Sequence, residues 1–223
     1  MTMMKPELLS PAGSMDSLRA AVNSGCDAVY LGGKQFSARA YAGNFDLQEL
    51  EDACDYCHLR GVKVYVTVNT VYKDEELKEF LAYIKDLYEI GVDALIMQDA
   101  GAAKLVKEHF PDFPLHASTQ MTCNSLADVK YWESQGFHKI VLSRELSIEE
   151  IKHITENVDA EIETFVHGAL CVCYSGQCVM SSILGGRSGN RGRCAQPCRL
   201  PYTLYRSTEN ISICISKILK TMK

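Results

Sequence analysis

Apolar positions along the chain fall into two alternating patterns. Short runs rich in β-branched and aromatic residues read as strands, and longer stretches with apolar residues three and four apart read as helices with one buried face. The strand pattern covers residues 7–10, 28–31, 62–68, 94–97, 115–118, 139–142 and 161–166. The helical pattern covers residues 15–24, 47–59, 74–90, 102–109, 126–135 and 148–156. Ser14 is placed to cap the first helix. Gly25, Gly61, Gly91 and Gly136 each sit just past a helix, where a left-handed cap suits glycine.

Regular alternation at a period of about 30 residues implies a parallel sheet with helices outside it. An open doubly wound sheet uses five or six strands, so seven in succession favour an α/β fold of the (β/α)8 TIM-type barrel, here incomplete, with about seven β/α units. Residues 1–205 form the barrel domain in this reading, and a Cys-rich loop over residues 168–199 follows the seventh strand. Residues 206–223 form a divergent tail: one short apolar run at 211–215 and a lysine-rich end, with no eighth unit. Such a barrel is expected to stay open, with exposed sheet edges.

In a barrel, chemistry gathers where strands end at their C-termini. Those positions carry a polar ring with few carboxylates: Arg39 and Asn44, Asn69, Gln98 and Asp99, Thr119 and Gln120, Arg144 and Glu145, and His167. Several of these residue types equally cap the following helix. Asn69, Gln98, His116, Gln120 and His167 are the candidates to hold a substrate, with Arg39, Asn44 and Glu163 beside them.

Composition narrows the chemistry. The chain has 223 residues and a net charge of −5, too mild by itself to indicate nucleic acid. No stretch approaches the roughly 20 apolar residues of a membrane span, and the start lacks the apolar core of a leader, so a cytoplasmic protein with no membrane partner is expected. Ten cysteines are many for a reducing compartment, where disulfides are rare. Cys54 and Cys57 lie on a helical pattern and read as packing residues. Cys171, Cys173, Cys178, Cys194 and Cys198 fall within one segment.

Six residues separate Cys171 from Cys178, fifteen separate Cys178 from Cys194, and three separate Cys194 from Cys198. An all-thiolate set suits zinc or iron–sulfur. Structural zinc usually takes two tight pairs, and only the second pair here has that spacing, which favours iron–sulfur on Cys171, Cys178, Cys194 and Cys198 with Cys173 as a substitute. Between Thr164 and Thr208 there is no Asp or Glu; the formal charges are Arg187, Arg191, Arg193, Arg199 and Arg206. This segment is +5, so the remainder carries −10. Arg187, Arg191 and Arg193 are candidates for phosphate contact, and neutralisation of a thiolate cluster is the competing reading.

Several motifs carry a resemblance. Glu163-x-Phe165-x-x-Gly168-Ala169-Leu170-Cys171, then Gly176-x-Cys178-x-Met180-Ser181, is similar to the signature of peptidase family U32, the collagenase-like peptidases. Glu7-Leu8-Leu9-Ser10-Pro11-Ala12-Gly13 and Gly32-Gly33-Lys34-x-Phe36-Ser37-Ala38-Arg39-Ala40 resemble the family's opening. Asn190-Arg191-Gly192-x-Cys194-Ala195-Gln196-Pro197-Cys198-Arg199 resembles its tRNA-hydroxylating branch. The resemblance implies a barrel normally followed by a smaller β-rich domain, which this sequence lacks; the chain reads as C-terminally truncated after Tyr205. It implies a 4Fe–4S cluster on Cys171, Cys178, Cys194 and Cys198, tRNA as partner, 5-hydroxyuridine at the wobble position as product, and prephenate as a candidate hydroxyl donor.

Two alternatives stand beside that reading. A collagenase-like peptidase would need a lone thiol beside a histidine; His167 and Cys171 are four apart, but five thiols in one loop make a poor lone nucleophile. No His-Glu-x-x-His or Gly-x-Ser-x-Gly motif is present. The other alternative is an inactive fragment, or one that needs a partner subunit to supply the missing C-terminal part.

Overall fold

The computed structural model describes residues 5–38, 43–206 and 209–214, the segments 204–206 and 209–214 by backbone alone. Seven parallel strands form one sheet in sequence order: β1 (Leu9–Pro11), β2 (Ala28–Gly32), β3 (Lys63–Val68), β4 (Ala94–Met97), β5 (Leu115–Ala117), β6 (Lys139–Val141) and β7 (Glu161–Glu163). Helices α1 (Met15–Asn23), α2 (Leu47–His58), α3 (Leu77–Ile90), α4 (Ala100–His109), α5 (Leu126–Ser134) and α6 (Ile148–Thr155) fill the crossovers. The sheet is a TIM-like barrel left incomplete, with β1 and β7 as its edges.

Alternation within the strands divides the molecule. Val29, Leu31, Val64, Val66, Val68, Leu95, Met97, Leu115, Ala117, Ile140 and Leu142 belong to the main core, together with helix residues such as Leu18, Leu50, Phe80, Ile84 and Val129. Full burial of each large side chain contributes roughly 1.5–3 kcal/mol. The other strand face turns into the barrel, where Ala28, Tyr65, Ala94 and Ile96 pack with Leu9 and Tyr30.

Local signals set the helix ends. Ser14, Asp46, Ser125 and Ser147 cap α1, α2, α5 and α6 in reciprocal capping boxes. Gly25, Gly61, Gly91 and Gly136 adopt φ between +69° and +88°. Helix α4 begins two residues earlier than its apolar pattern suggested, because Asp99 accepts a bond from Ala102 N. The expected helix at 74–90 starts as a 3-10 turn over Asp74–Glu76. Strand β7 stops at Glu163 rather than 166, and among the described residues no strand pairs with its outer edge. Residues 201–206 do not add to the barrel: β8 (Pro201–Arg206) pairs antiparallel with β9 (Glu209–Cys214) as a separate hairpin. The Cys-rich segment also contains a short helix, α7 (Met180–Gly185), that the apolar pattern did not disclose.

Candidate active site

The lower interior of the barrel is closed by charge. Glu7, just ahead of β1, accepts bonds from Lys139 Nζ at 2.6 Å, Tyr65 Oη at 3.0 Å and Lys63 Nζ at 3.4 Å. Burial would raise the Glu7 carboxyl, but these donors outweigh it and hold it below the ordinary value. The Lys139 side chain is only 7% exposed and also meets Glu161 at 3.2 Å. The His116 ring stands edge-on to Tyr65, 4.6 Å between centroids, and burial with nearby Lys139 pushes its pKa down to about 3. His116 was expected at the mouth; it sits inside the barrel at the centre of β5, opposite Ile96 and Lys139 in register, because the inward face of β5 is its middle residue.

Above this plug a cavity of about 60 Å³ opens toward the strand C-termini, lined by Tyr30, Thr67, Asn69, Ile96, Ser118, Thr119, Val141, Glu163 and Phe165. Asn69 is fixed by Ala38 N at 3.0 Å and by donating to Ser118 Oγ at 3.3 Å. Glu163 Oε2 and Thr119 Oγ1 are buried with no hydrogen-bond partner. Burial raises the Glu163 carboxyl to about 7, while Lys139 opposes and Glu7 assists that rise. A buried polar group normally has a partner, and two of the six such unpartnered atoms among the described residues border this one cavity.

The Cys-rich segment lies across this end as a cap, docked by specific contacts. Arg191 forms a two-pronged pair with Glu76 and donates to Val71 O at 2.7 Å, and Gln98 Nε2 donates to Asn190 O at 3.0 Å. The Glu76 carboxyl is held down at about 2, first by Arg191. Ser175 receives Arg144 Nε at 3.1 Å and gives its N–H to Glu145 at 2.9 Å. Two glycines allow close docking: at Gly176, φ +72°, a side chain would strike Gln120 O, and at Gly192, φ +72°, it would strike Ser37 O.

The cap gathers thiols. Cys173 is raised by burial and then by Cys178, to which it hydrogen-bonds, and by Cys171. Cys198 is raised by burial and then by Cys171, Cys194 and Cys178, so the four thiols expected as ligands lie within electrostatic reach of one another. Gln196 N donates to Cys194 Sγ at 3.4 Å. Among the described residues no three Cys, His, Asp or Glu side chains converge tightly enough to hold one metal ion. The donor set itself, all thiolate, is one that either zinc or an iron–sulfur cluster accepts. Cys26, Cys54, Cys57 and Cys123 are buried, the last three with thiols pushed up to about 11–12 by burial, and serve packing.

Of the residues singled out from sequence, Asn69 and Glu163 line the cavity, with Asn44 buried beside Gly32 nearby. Gln98 anchors the cap, and Gln120 presents its backbone carbonyl to Gly176. His167, Arg187 and Arg193 are exposed on the cap. Both terminal nitrogens of Arg191 are engaged within the fold, by Val71 O and the Glu76 carboxylate, and dock the cap. Arg39 lies outside the described residues. Sequence reasoning did not single out Tyr30, Thr67, Ser118 or Phe165 for the cavity, nor Lys139 and Glu7 beneath it. The strand alternation Glu161-Ile162-Glu163, with Ile162 against the outer core, was the available signal for an inward carboxylate.

Comparison with known proteins agrees with this architecture. The model of peptidase family U32 matches residues 13–220. The chain belongs to peptidase family U32. Among its curated relatives, tRNA hydroxylation protein P of Escherichia coli is 44% identical over 209 residues, covering 93% of this chain and 46% of the relative. The Escherichia coli protein named 23S rRNA 5-hydroxycytidine C2501 synthase is 46% identical, covering 97% of this chain and 32% of the relative. A Porphyromonas gingivalis protein named collagenase is 34% identical, covering 97% and 56%. This U32 chain therefore spans about half or less of the length of the curated relatives it matches. A solved U32 peptidase structure shares the fold at TM-score 0.59 and 18% identity, covering 74% of this chain and 71% of that one. No helix among the described residues is long and apolar enough to cross a membrane.

Proposed function

We propose that this U32 chain carries the catalytic barrel of an RNA hydroxylase that acts on a pyrimidine, the wobble uridine of tRNA being the leading substrate and 5-hydroxyuridine the product. The observation that carries the reading is the cap: Cys171, Cys178 and Cys194 each close enough to Cys198 to act on its thiol, in a segment without carboxylates, held over a barrel mouth whose cavity contains unspent hydrogen-bonding groups. The names of the two Escherichia coli relatives, a tRNA and an rRNA hydroxylation protein, point the same way.

In this reading Cys171, Cys178, Cys194 and Cys198 hold a 4Fe–4S cluster, with Cys173 as a neighbouring thiol. Such a group supplies one-electron redox chemistry and a Lewis-acidic site when bound. The protein's own residues do the rest. Exposed Arg187 and Arg193 give the cap a positive face for RNA phosphate. The target base leaves its stack to reach the mouth. The net change replaces the ring C–H by C–OH. An organic hydroxyl donor, for which prephenate is the candidate, gives up its hydroxyl and takes the hydrogen, so the ring loses two electrons and the donor gains them. A soluble cytoplasmic setting fits this substrate.

A peptidase reading has the collagenase name of one relative behind it. It needs a thiol paired with a base, and no hydrogen bond joins His167 to a cysteine among the described residues. The test is nucleoside mass spectrometry of RNA from a strain lacking the gene for this chain. Loss of one hydroxylated pyrimidine, restored by the wild-type gene but not by Cys178→Ser, supports the proposal. An unchanged nucleoside profile rejects it.

A further inference from the structure

The cavity beneath the cap has a chemistry of its own. Among the described residues its nine lining side chains include no lysine, arginine or histidine. Two aromatic rings, Tyr30 and Phe165, border it, and Asn69 and Ser118 are already tied to each other. Two residues keep buried hydrogen-bonding atoms unspent: Glu163 Oε2 and Thr119 Oγ1. At about 60 Å³ the space admits the edge of a ring or two waters rather than a nucleotide.

We propose that Glu163 and Thr119 form a specificity pair that reads the amide edge, an N–H beside a C=O, of an uncharged pyrimidine whose edge enters the cavity bordered by Tyr30 and Phe165. A protonated carboxyl offers one donor and one acceptor side by side, which is the complement of a ring amide edge. The hydroxyl of Thr119 can turn to serve the neighbouring carbonyl. The pair is a binding and specificity device; it rests on the RNA reading above and adds the residues that select the base.

The protonation state follows from the surroundings. Among the described residues the charged groups that act on Glu163 are Lys139 and Glu7 of the plug below, and the other titratable group lining the cavity is Tyr30. With no direct hydrogen bond from Lys139, burial dominates and the acid form persists to about pH 7.

The full chain, purified anaerobically, is titrated with a hairpin RNA carrying one unpaired uridine in its loop. The same hairpin is tested with N3-methyluridine at that position and with an abasic site. Blocking N3 or removing the base is expected to weaken binding about tenfold, the loss of hydrogen bonds to buried polar groups. Glu163→Gln keeps a donor and an acceptor in the same shape and is expected to bind within about threefold of wild type, without the weakening above pH 7 that wild type shows. Glu163→Ala and Thr119→Val are expected to lose about tenfold on the uridine hairpin and nothing on the abasic one. Should Glu163→Ala not fold, the three hairpins on the wild-type chain still decide. Equal affinity of wild type for the uridine and abasic hairpins overturns this inference and leaves the RNA reading standing. Binding to neither hairpin removes both. A Glu163→Gln loss as large as that of Glu163→Ala overturns the neutral-acid assignment.

Discussion

The two ends of the barrel interior are built from the same kinds of residue and behave in opposite ways. At the lower end Glu7, Lys139, Lys63 and Tyr65 satisfy one another and hold the carboxylate ionised, with His116 Nδ1 the one buried atom beside them that lacks a partner among the described residues. At the upper end Glu163 and Thr119 keep unpaired buried atoms, and the carboxyl is held neutral up to about pH 7. A satisfied buried network stabilises and fixes the fold; an unsatisfied one costs stability and persists where a ligand completes it. This matches the division of a barrel into a lower face for stability and an upper face for chemistry.

Breaking the lower network should have the largest effect. Glu7→Ala strands Lys139, whose remaining partner Glu161 is 71% exposed. The expected loss is about 3 kcal/mol of unfolding free energy by denaturant titration, the lower end for a buried pair that loses one partner, because Glu161 stays 3.2 Å from Lys139. A loss below about 1 kcal/mol would show that the plug is decorative.

At the upper end the sign reverses. The Glu163 carboxyl is lifted from 4.5 to about 7 in the fold, so the folded protein binds the extra proton and stability falls as pH rises from about 4.5 to 7. Fully ionised, the group costs about 3 kcal/mol. Glu163→Gln should therefore stabilise the chain by about 2–3 kcal/mol at pH 8 and by less than about 1 kcal/mol at pH 5. His116 works in the opposite sense: its pKa is depressed, so its penalty appears as pH falls below about 6.5. Equal effects of Glu163→Gln at both pH values would contradict the comparison.

The cap sharpens it further. Gly192→Ala puts a side chain against Ser37 O in a left-handed conformation and should cost about 2 kcal/mol, felt as faster proteolysis within residues 168–199 while the barrel stays protected. Arg191→Ala removes a partly exposed pair and should cost only about 1 kcal/mol, localised to the same segment and visible by hydrogen exchange. A global melting shift in either variant would show that cap and barrel unfold as one.

Much of this architecture was legible in the sequence, for identifiable reasons. The seven strands and six long helices follow from apolar spacing, serine and aspartate caps and four left-handed glycines, all local signals. The thiols declared themselves by spacing and by the absence of carboxylates around them. What stayed hidden depends on distance in the chain. Glu7 and Lys139 lie 132 residues apart, and Glu76 and Arg191 lie 115 apart. No local pattern pairs them, so Lys139 read as an ordinary strand residue and Arg191 as a candidate for phosphate contact or for neutralising the thiolates. His116 was misplaced because one step along a strand exchanges mouth, interior and outer face. Helix α7 has six residues, too short for a periodic signal.

The central claim is that the four thiols of the cap hold a redox cluster over a base-binding barrel mouth. Iron and acid-labile sulfide, measured on anaerobically purified protein alongside its visible spectrum, test it most directly. The account predicts about four irons and four sulfides per chain, with both lost in Cys178→Ser. A colourless protein that holds zinc, or no metal, under those conditions would contradict it.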